Sequence, residues 1–232
     1  MDEQSSDQVG SPALNDKRGG QGETPALQGI SNLMEETLER EGETPLGVGY
    51  GSHENQALRF SQILRLIEPD TRPFSVNDLG CGFGDLYGFI HGRQLPMELY
   101  RGYDLSEKML AVAAKRVGRD AQLIQSDRVT EIADYSFACG VFNARLEASE
   151  DEWLTYMKSV VRDLQAHSAH GFAFNSLTTY VDWREDHLFY VDPMEMFRFC
   201  KEEISPRVAL LHDYPLWEWT ILVRTEPDSP PK

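Results

Sequence analysis

At 232 residues and 41% hydrophobic content, the chain has enough apolar material for one full-sized core, and a single domain is the economical organisation. The formal net charge of −16 opposes a phosphate backbone, because non-specific nucleic-acid binding rests on Lys and Arg releasing counterions; no nucleic-acid partner is expected. Cys81, Cys139 and Cys200 are widely spaced, giving neither a disulfide framework nor a C-x-x-C metal pair, which suits a reducing, cytoplasmic setting with no metal site. The first 15 residues lack an apolar leader and no run approaches the roughly 18 apolar residues of a membrane span, so no membrane association is expected.

Residues 1–28 are rich in Ser, Gly, Gln, Asp and Pro, too poor in aromatic and β-branched side chains to offset the entropy of ordering. They read as a disordered tail, as do residues 226–232, leaving 29–225 as the domain. Ser52 caps an expected helix whose apolar positions Ala57, Phe60, Ile63, Leu64 and Ile67 recur at helical spacing until Pro69. Residues 74–79 form the first strand, 86–92 the start of a helix, and 97–103 the second strand. Ser106 caps a helix carrying Met109, Leu110, Ala113 and Val117, stopped by Gly118.

Residues 121–125 read as the third strand and 135–141 as the fourth, whose small and apolar residues suit burial on both faces. Ser149 and Glu152 make a capping box ahead of Trp153, Met157, Val160, Val161 and Leu164, the clearest amphipathic helix in the chain. Residues 170–175 follow as the fifth strand, Asp192-Pro193 opens a helix with Phe197 and Cys200 inward, and 208–211 and 218–223 are the last two strands, joined through Tyr214-Pro215. Alternating strand and helix, closed by a hairpin, implies an α/β fold with a mostly parallel sheet and one antiparallel strand.

One stretch names a chemistry: Asp78-Leu79-Gly80-Cys81-Gly82-Phe83-Gly84-Asp85, between the first strand and its helix. Glycines at 80, 82 and 84 permit a tight turn and close approach of a ligand to the backbone. Asp104 ends the next strand, where a nucleoside-binding βαβ unit requires an acceptor for ribose hydroxyls; this role is favoured over the alternative, that it simply helps cap the following helix. A dinucleotide fingerprint would have Gly or Ala where Asp85 stands, and no Gly-Lys-Ser/Thr follows, so neither NAD nor a Walker-type phosphate loop is expected.

An acidic residue followed by G-x-G-x-G and a distal acid resembles the first motif of the class I S-adenosylmethionine (SAM) dependent methyltransferases, over residues 45–225. The resemblance implies a Rossmann-like, doubly wound sheet of seven strands with helices on both faces, the last strand inserted antiparallel between the fifth and sixth. It implies SAM as cofactor, S-adenosylhomocysteine as product, and a cofactor site of Asp78, Gly80, Cys81, Gly82, Gly84, Asp104, Leu105, Asp127, Arg128 and Gly140. Asp78 would hold the methionine amino group and Asp127 the adenine amino group, with Arg128 or Leu105 on the ring. The expected activity is methyl transfer to O, N or C of a small metabolite or sugar-like acceptor; a SAM-binding regulatory or scaffold protein without transfer activity is the alternative. The oligomeric state is open.

On the acceptor side, the resemblance implies that Phe142, beyond the fourth strand, helps form the methyl-transfer wall, with plain core as the alternative; the rest is read from the residues themselves. Tyr50, between Gly49 and Gly51, sits in a segment that either covers the cofactor or acts as a hinge. The stretch 180–190 combines Tyr180, Trp183, Arg184, His187 and Tyr190, the mix of aromatic surface, cation and proton acceptor expected of a lid over a small polar acceptor. His187 is the leading base candidate and Tyr190 the next. His212 and Asp213, adjacent in sequence and so pointing to opposite faces, are read as structural.

Overall fold

The structure, a computed structural model, describes residues 14–15, 25–67 and 72–225. The helices are α1 (Pro25–Glu41), α2 (His53–Ile63), α3 (Asp85–Gly92), α4 (Glu107–Ala113), α5 (Glu150–Ala166) and α6 (Pro193–Phe199). The strands are β1 (Leu14–Asn15), β2 (Phe74–Leu79), β3 (Met97–Asp104), β4 (Ala121–Gln125), β5 (Ala133–Ala138), β6 (Ser168–Thr178), β7 (Tyr190–Val191), β8 (Val208–Leu211) and β9 (Glu218–Arg224). They make one sheet in the order β1-β4-β3-β2-β5-β6-β9-β8, with β7 beside the end of β6. Every pairing is parallel except those of β9, which runs antiparallel between β6 and β8. The expected seven strands are all present; β1 and β7, two residues each, add to them.

Successive side chains along the strands point to opposite faces, both of them buried, and so divide the core in two. Phe172 and Phe174 of β6, with Trp219, Ile221 and Val223 of β9, pack under Trp153, Met157, Val160, Val161 and Leu164 of α5 and Met196 of α6. Ala173 and Leu222 face the other way, into a layer built from Phe60 and Ile63 of α2, Leu86 and Ile90 of α3 and Leu110 of α4. Alternation of this kind fixes strand register, because a one-residue slip would turn each buried set to the opposite face.

Caps anticipated from sequence form as expected. Ser52, Ser106 and Asp192 each accept a backbone N–H at the start of α2, α4 and α6, and Ser149 with Glu152 closes the capping box of α5. Helix α1 is an element the sequence reading left out: it begins at Pro25, so the tail boundary placed at residue 28 falls inside it. Strand β1 also falls within the expected tail; residues 1–13 and 16–24, the C-terminal tail and Pro69 lie outside the described residues.

Strand order sets the position of the site. From β2 the chain steps outward through β3 and β4, then returns to start β5 on the other side of β2. The reversal leaves a crevice beyond the C-terminal ends of β2 and β5, the location at which open α/β sheets bind ligands. Among the described residues no helix is long and apolar enough to cross a membrane.

Candidate functional site: a strand-end cavity under helix α1

The turn after β2 is held by its own backbone. Gly80 and Cys81 both donate to the Tyr103 carbonyl, at 2.8 and 3.0 Å, and Gly84 N–H donates to the Cys81 carbonyl at 2.8 Å. Gly80 and Gly82 have φ of 70° and 52°, in the left-handed region that favours glycine. A Cβ on Gly80 would lie 2.7 Å from Val141, and one on Gly82 would lie 2.9 Å from Val48. Both glycines border the cavity, yet what they first make room for is the chain's own wall.

Asp104 ties this turn to the next. Its Oδ2 accepts Gly82 N–H and its Oδ1 accepts Ser106 N–H, each at 2.9 Å. Asp104 therefore braces the start of α4, as the capping reading has it, and also borders the cavity. Burial raises its pKa, opposed by the amides of Ser106, Gly82 and Leu105. Asp78, near the end of β2, is buried, with Tyr100 Oη donating to Oδ2 at 2.5 Å. Burial pushes its carboxyl up to about 7 despite that hydrogen bond, with a further push from the Asp104 and Asp85 charges.

A cavity of about 450 Å³ opens at these strand ends. Asp78, Gly80, Cys81, Gly82, Asp104, Leu105, Asp127 and Gly140 line it, together with Tyr50 and His187. Of the expected cofactor residues, two do not. Gly84 faces Val117 and Ala113 of the α4 region, and Arg128 turns away to Asp163 (2.5 Å) and Ser159 (3.0 Å), over the ring of Tyr156. Arg128 meets the lining indirectly, through Asp127 at 3.3 Å, the Tyr156 ring and the Ser126 hydroxyl, which accepts its backbone N–H.

The acceptor-side expectations divide more sharply. Tyr50 donates to the Cys139 carbonyl at 3.1 Å, and its hydroxyl lies 3.4 Å from where a Cβ on Gly140 would stand. Phe142 is fully buried against Phe174, which settles it as core. In the loop from β6 to β7, only His187 and its neighbour Leu188 reach the cavity. Tyr180 sits beside His212, Trp183 against Trp217, and Arg184 over the ring of Tyr190, whose hydroxyl accepts Glu185 N–H. The loop is not a lid of aromatics over the cavity; His187 is held at the rim by a short clasp. Arg145 and Leu146 donate N–H to the His187 carbonyl, Phe189 donates to the Asn143 carbonyl, and Ala144 bridges Leu188.

Three contributions were missed. Helix α1 supplies a wall through Leu27, Ile30, Met34 and Thr37, and Gly29 is small enough to let α1 approach Leu146 in the clasp. The spacing of Leu27, Ile30, Met34 and Leu38 was the available signal. Arg59 of α2 borders the cavity in a buried network: it grips Glu218 through Nε and Nη2, Glu218 accepts from Asn175 Nδ2, and Asn175 Oδ1 accepts Gly140 N–H at 2.7 Å. Asn143 also lines the cavity, with a buried Oδ1 that has no hydrogen-bond partner among the described residues.

The sheet order, the antiparallel β9 and the glycine turn with acids at successive strand ends define a Rossmann-like α/β domain with a strand-end site. No family model matches the chain. A Mycobacterium tuberculosis protein named "Putative methyltransferase Rv1506c" is 46% identical over 156 residues, 66% of this chain and 93% of that protein. Among solved structures, the "DhpI-SAM-HEP complex" superposes with a TM-score of 0.59 at 16% identity, covering 87% of this chain and 99% of that one. SAM-bound CalS10, an amino pentose methyltransferase from Micromonospora echinaspora, gives 0.54 at 14% identity, covering 84% and 97%. The chain belongs to the class I, Rossmann-like SAM-dependent methyltransferases.

Proposed function

We propose that the cavity binds SAM and that the chain transfers its methyl group to O, N or C of a small acceptor entering beside His187. The observation that carries this reading is the placement of Asp78, Asp104 and Asp127, from the ends of β2, β3 and β4, around one cavity with Gly80 and Gly82.

The residues present fit the cofactor. Asp78 is a buried carboxylate that forms no ion pair among the described residues, and a ligand ammonium would supply the missing cation. Each Asp104 oxygen accepts one amide N–H and retains capacity for a ribose hydroxyl. Asp127, steadied by Arg128, has the acceptor an adenine amino group requires. When bound, SAM supplies a methyl group on a sulfonium sulfur, an electrophile already activated. The protein's own work is then alignment and exclusion of water. Tyr50 and Gly140 form the wall at the end of β5, α1 covers the opening, and a His187 ring nitrogen takes the proton from an acceptor O–H or N–H.

The test has two stages. Calorimetry with SAM should show saturable one-to-one binding; failure to bind removes the reading altogether. Incubation with a metabolite mixture should then give S-adenosylhomocysteine and a product heavier by one methylene, read by mass spectrometry. Binding without turnover across the mixture would instead assign a regulatory SAM-binding protein.

A further inference from the structure

On the same edge of the sheet as the cavity, but outside it, the loop from β6 to β7 and the turn from β8 to β9 carry an aromatic surface that the methyl-transfer reading leaves unused. Tyr180, Trp183 and Trp217 are 68%, 56% and 53% exposed, and they are three of the six large apolar side chains exposed among the described residues. Exposed apolar residues scattered singly need no explanation, whereas a contiguous group marks a contact surface. Here they are grouped by geometry: Trp183 and Trp217 meet edge to face at 4.8 Å and 84°, and Tyr180 lies 5.9 Å from His212. Both pairs bridge the same two loops, so the surface is built by the fold. It is anchored by Thr178 N–H donating to the Trp217 carbonyl and by Tyr180 N–H donating to Thr178 Oγ1.

The charge around it is predominantly negative, with Arg184 the one arginine on these two loops. Asp182, Glu185, Asp186 and Asp213 are exposed on the same two loops. Of the nearby cations, Arg184 lies over Tyr190, 5.6 Å from its centroid, and Arg65 reaches Asp213 only at 4.0 Å. Indole faces beside carboxylates are complementary to a cation, which gains both ring attraction and Coulomb attraction there. A second copy of the chain, itself at −16, is the wrong partner. The sheet points to a polypeptide: β8 is its last strand on this side among the described residues and runs directly into His212 and Asp213, so a docked segment has a strand edge as well as side chains to meet.

We propose that the Trp183–Trp217 corner is a docking surface for a basic, Lys- or Arg-bearing segment of a partner protein. It is separate from the cavity and does not rest on the methyl-transfer reading. The chain's overall acidity would attract any polycation, so the test must separate the surface from the net charge.

An N-acetylated octalysine peptide is titrated calorimetrically into the full chain, with cellohexaose as a neutral sugar probe. The wild type should bind octalysine. W183A/W217A, which alters two exposed side chains and no charge, should bind it at least tenfold more weakly, and W183F/W217F should recover most of the loss. D182N/D186N should weaken binding several-fold, with intact aromatics. Circular dichroism and SAM binding matching wild type confirm that each variant is folded with its cavity intact. Equal octalysine affinity in wild type and W183A/W217A would show diffuse acidity only and overturn the proposal. Binding of cellohexaose in place of octalysine would overturn it in favour of a carbohydrate surface.

Discussion

At the scale of single residues, the acids around the cavity differ in how they are held, and the differences predict different responses. Asp104→Ala removes an acceptor from two backbone amides and from the ligand, so SAM affinity should fall roughly 10- to 100-fold, about 1.4 to 2.7 kcal/mol. An unchanged affinity by calorimetry would restrict Asp104 to bracing the turn. Asp78 responds to pH. Its folded pKa of about 7 lies above the ordinary carboxylate value, so the folded protein binds the extra proton between about pH 4 and 7. In the ligand-free protein this stabilisation is full below that window and is lost as pH rises through 7. A ligand ammonium favours the ionised form, so affinity should rise with pH through 7, and binding at pH 6 should release a proton that Asp78→Asn does not release. Calorimetry at pH 6 in buffers of different ionisation enthalpy measures this directly, and equal proton release in the two proteins would refute the assignment. His187→Ala should lower turnover about 10²-fold with SAM affinity unchanged, whereas Tyr190→Phe, outside the cavity, should alter neither.

At the scale of elements, α1 is what turns an open crevice into a cavity. It rests on Leu27, 3% exposed in the core, and on surface contacts from Glu35 and Glu39 to Lys108 at 2.9 Å. Exposed ion pairs contribute at most about 1 kcal/mol, so the buried leucine should dominate. Leu27→Ala should destabilise by about 2 to 5 kcal/mol if α1 unfolds with the rest, and by much less if α1 opens alone. Hydrogen exchange distinguishes these cases, and saturating SAM should slow exchange along α1 if the helix closes over the ligand. Failure of α1 to gain protection would make it a fixed wall. The strands were the most legible elements: β2, β4 and β8 have the expected bounds because turn residues flank each one, Pro73 and Gly80 about β2, Asp120 and Ser126 about β4, Pro206 and Asp213 about β8. Bounds moved where tertiary pairing overrode local pattern. Strand β5 ends at Ala138 rather than 141, since Gly140 turns the chain at φ 78°, and β6 runs on to Thr178 because Leu177 pairs with both Tyr190 and Glu218. Helix α1 escaped notice because its apolar stripe adjoins a polar, glycine-rich stretch that reads as disorder.

At the scale of the whole molecule, the half of the cavity proposed to hold the cofactor was legible because it is local: a glycine turn and acids at strand ends lie within 50 residues of sequence. The opposite wall was not, because it joins residues far apart in the chain. Arg59 and Glu218 are 159 positions apart, yet their pair ties α2 to the start of β9, and through Asn175 to Gly140 at the end of β5. Side-chain exposures of 12% and 1% make it a buried pair. Removing one partner should be far worse than removing both, because a buried charge left alone keeps its desolvation cost without the attraction that offset it. Glu218→Ala should therefore cost about 3 to 5 kcal/mol in urea unfolding, while Arg59→Met/Glu218→Leu should cost clearly less than the sum of its single changes. The same double variant lacks Asn175's acceptor, so the Gly140 turn should loosen and SAM affinity should drop even where stability is recovered. Additive single and double effects on stability would mean that the two charges are not coupled. Full SAM affinity in the stable double variant would mean that the network holds the sheet together without shaping the cavity wall.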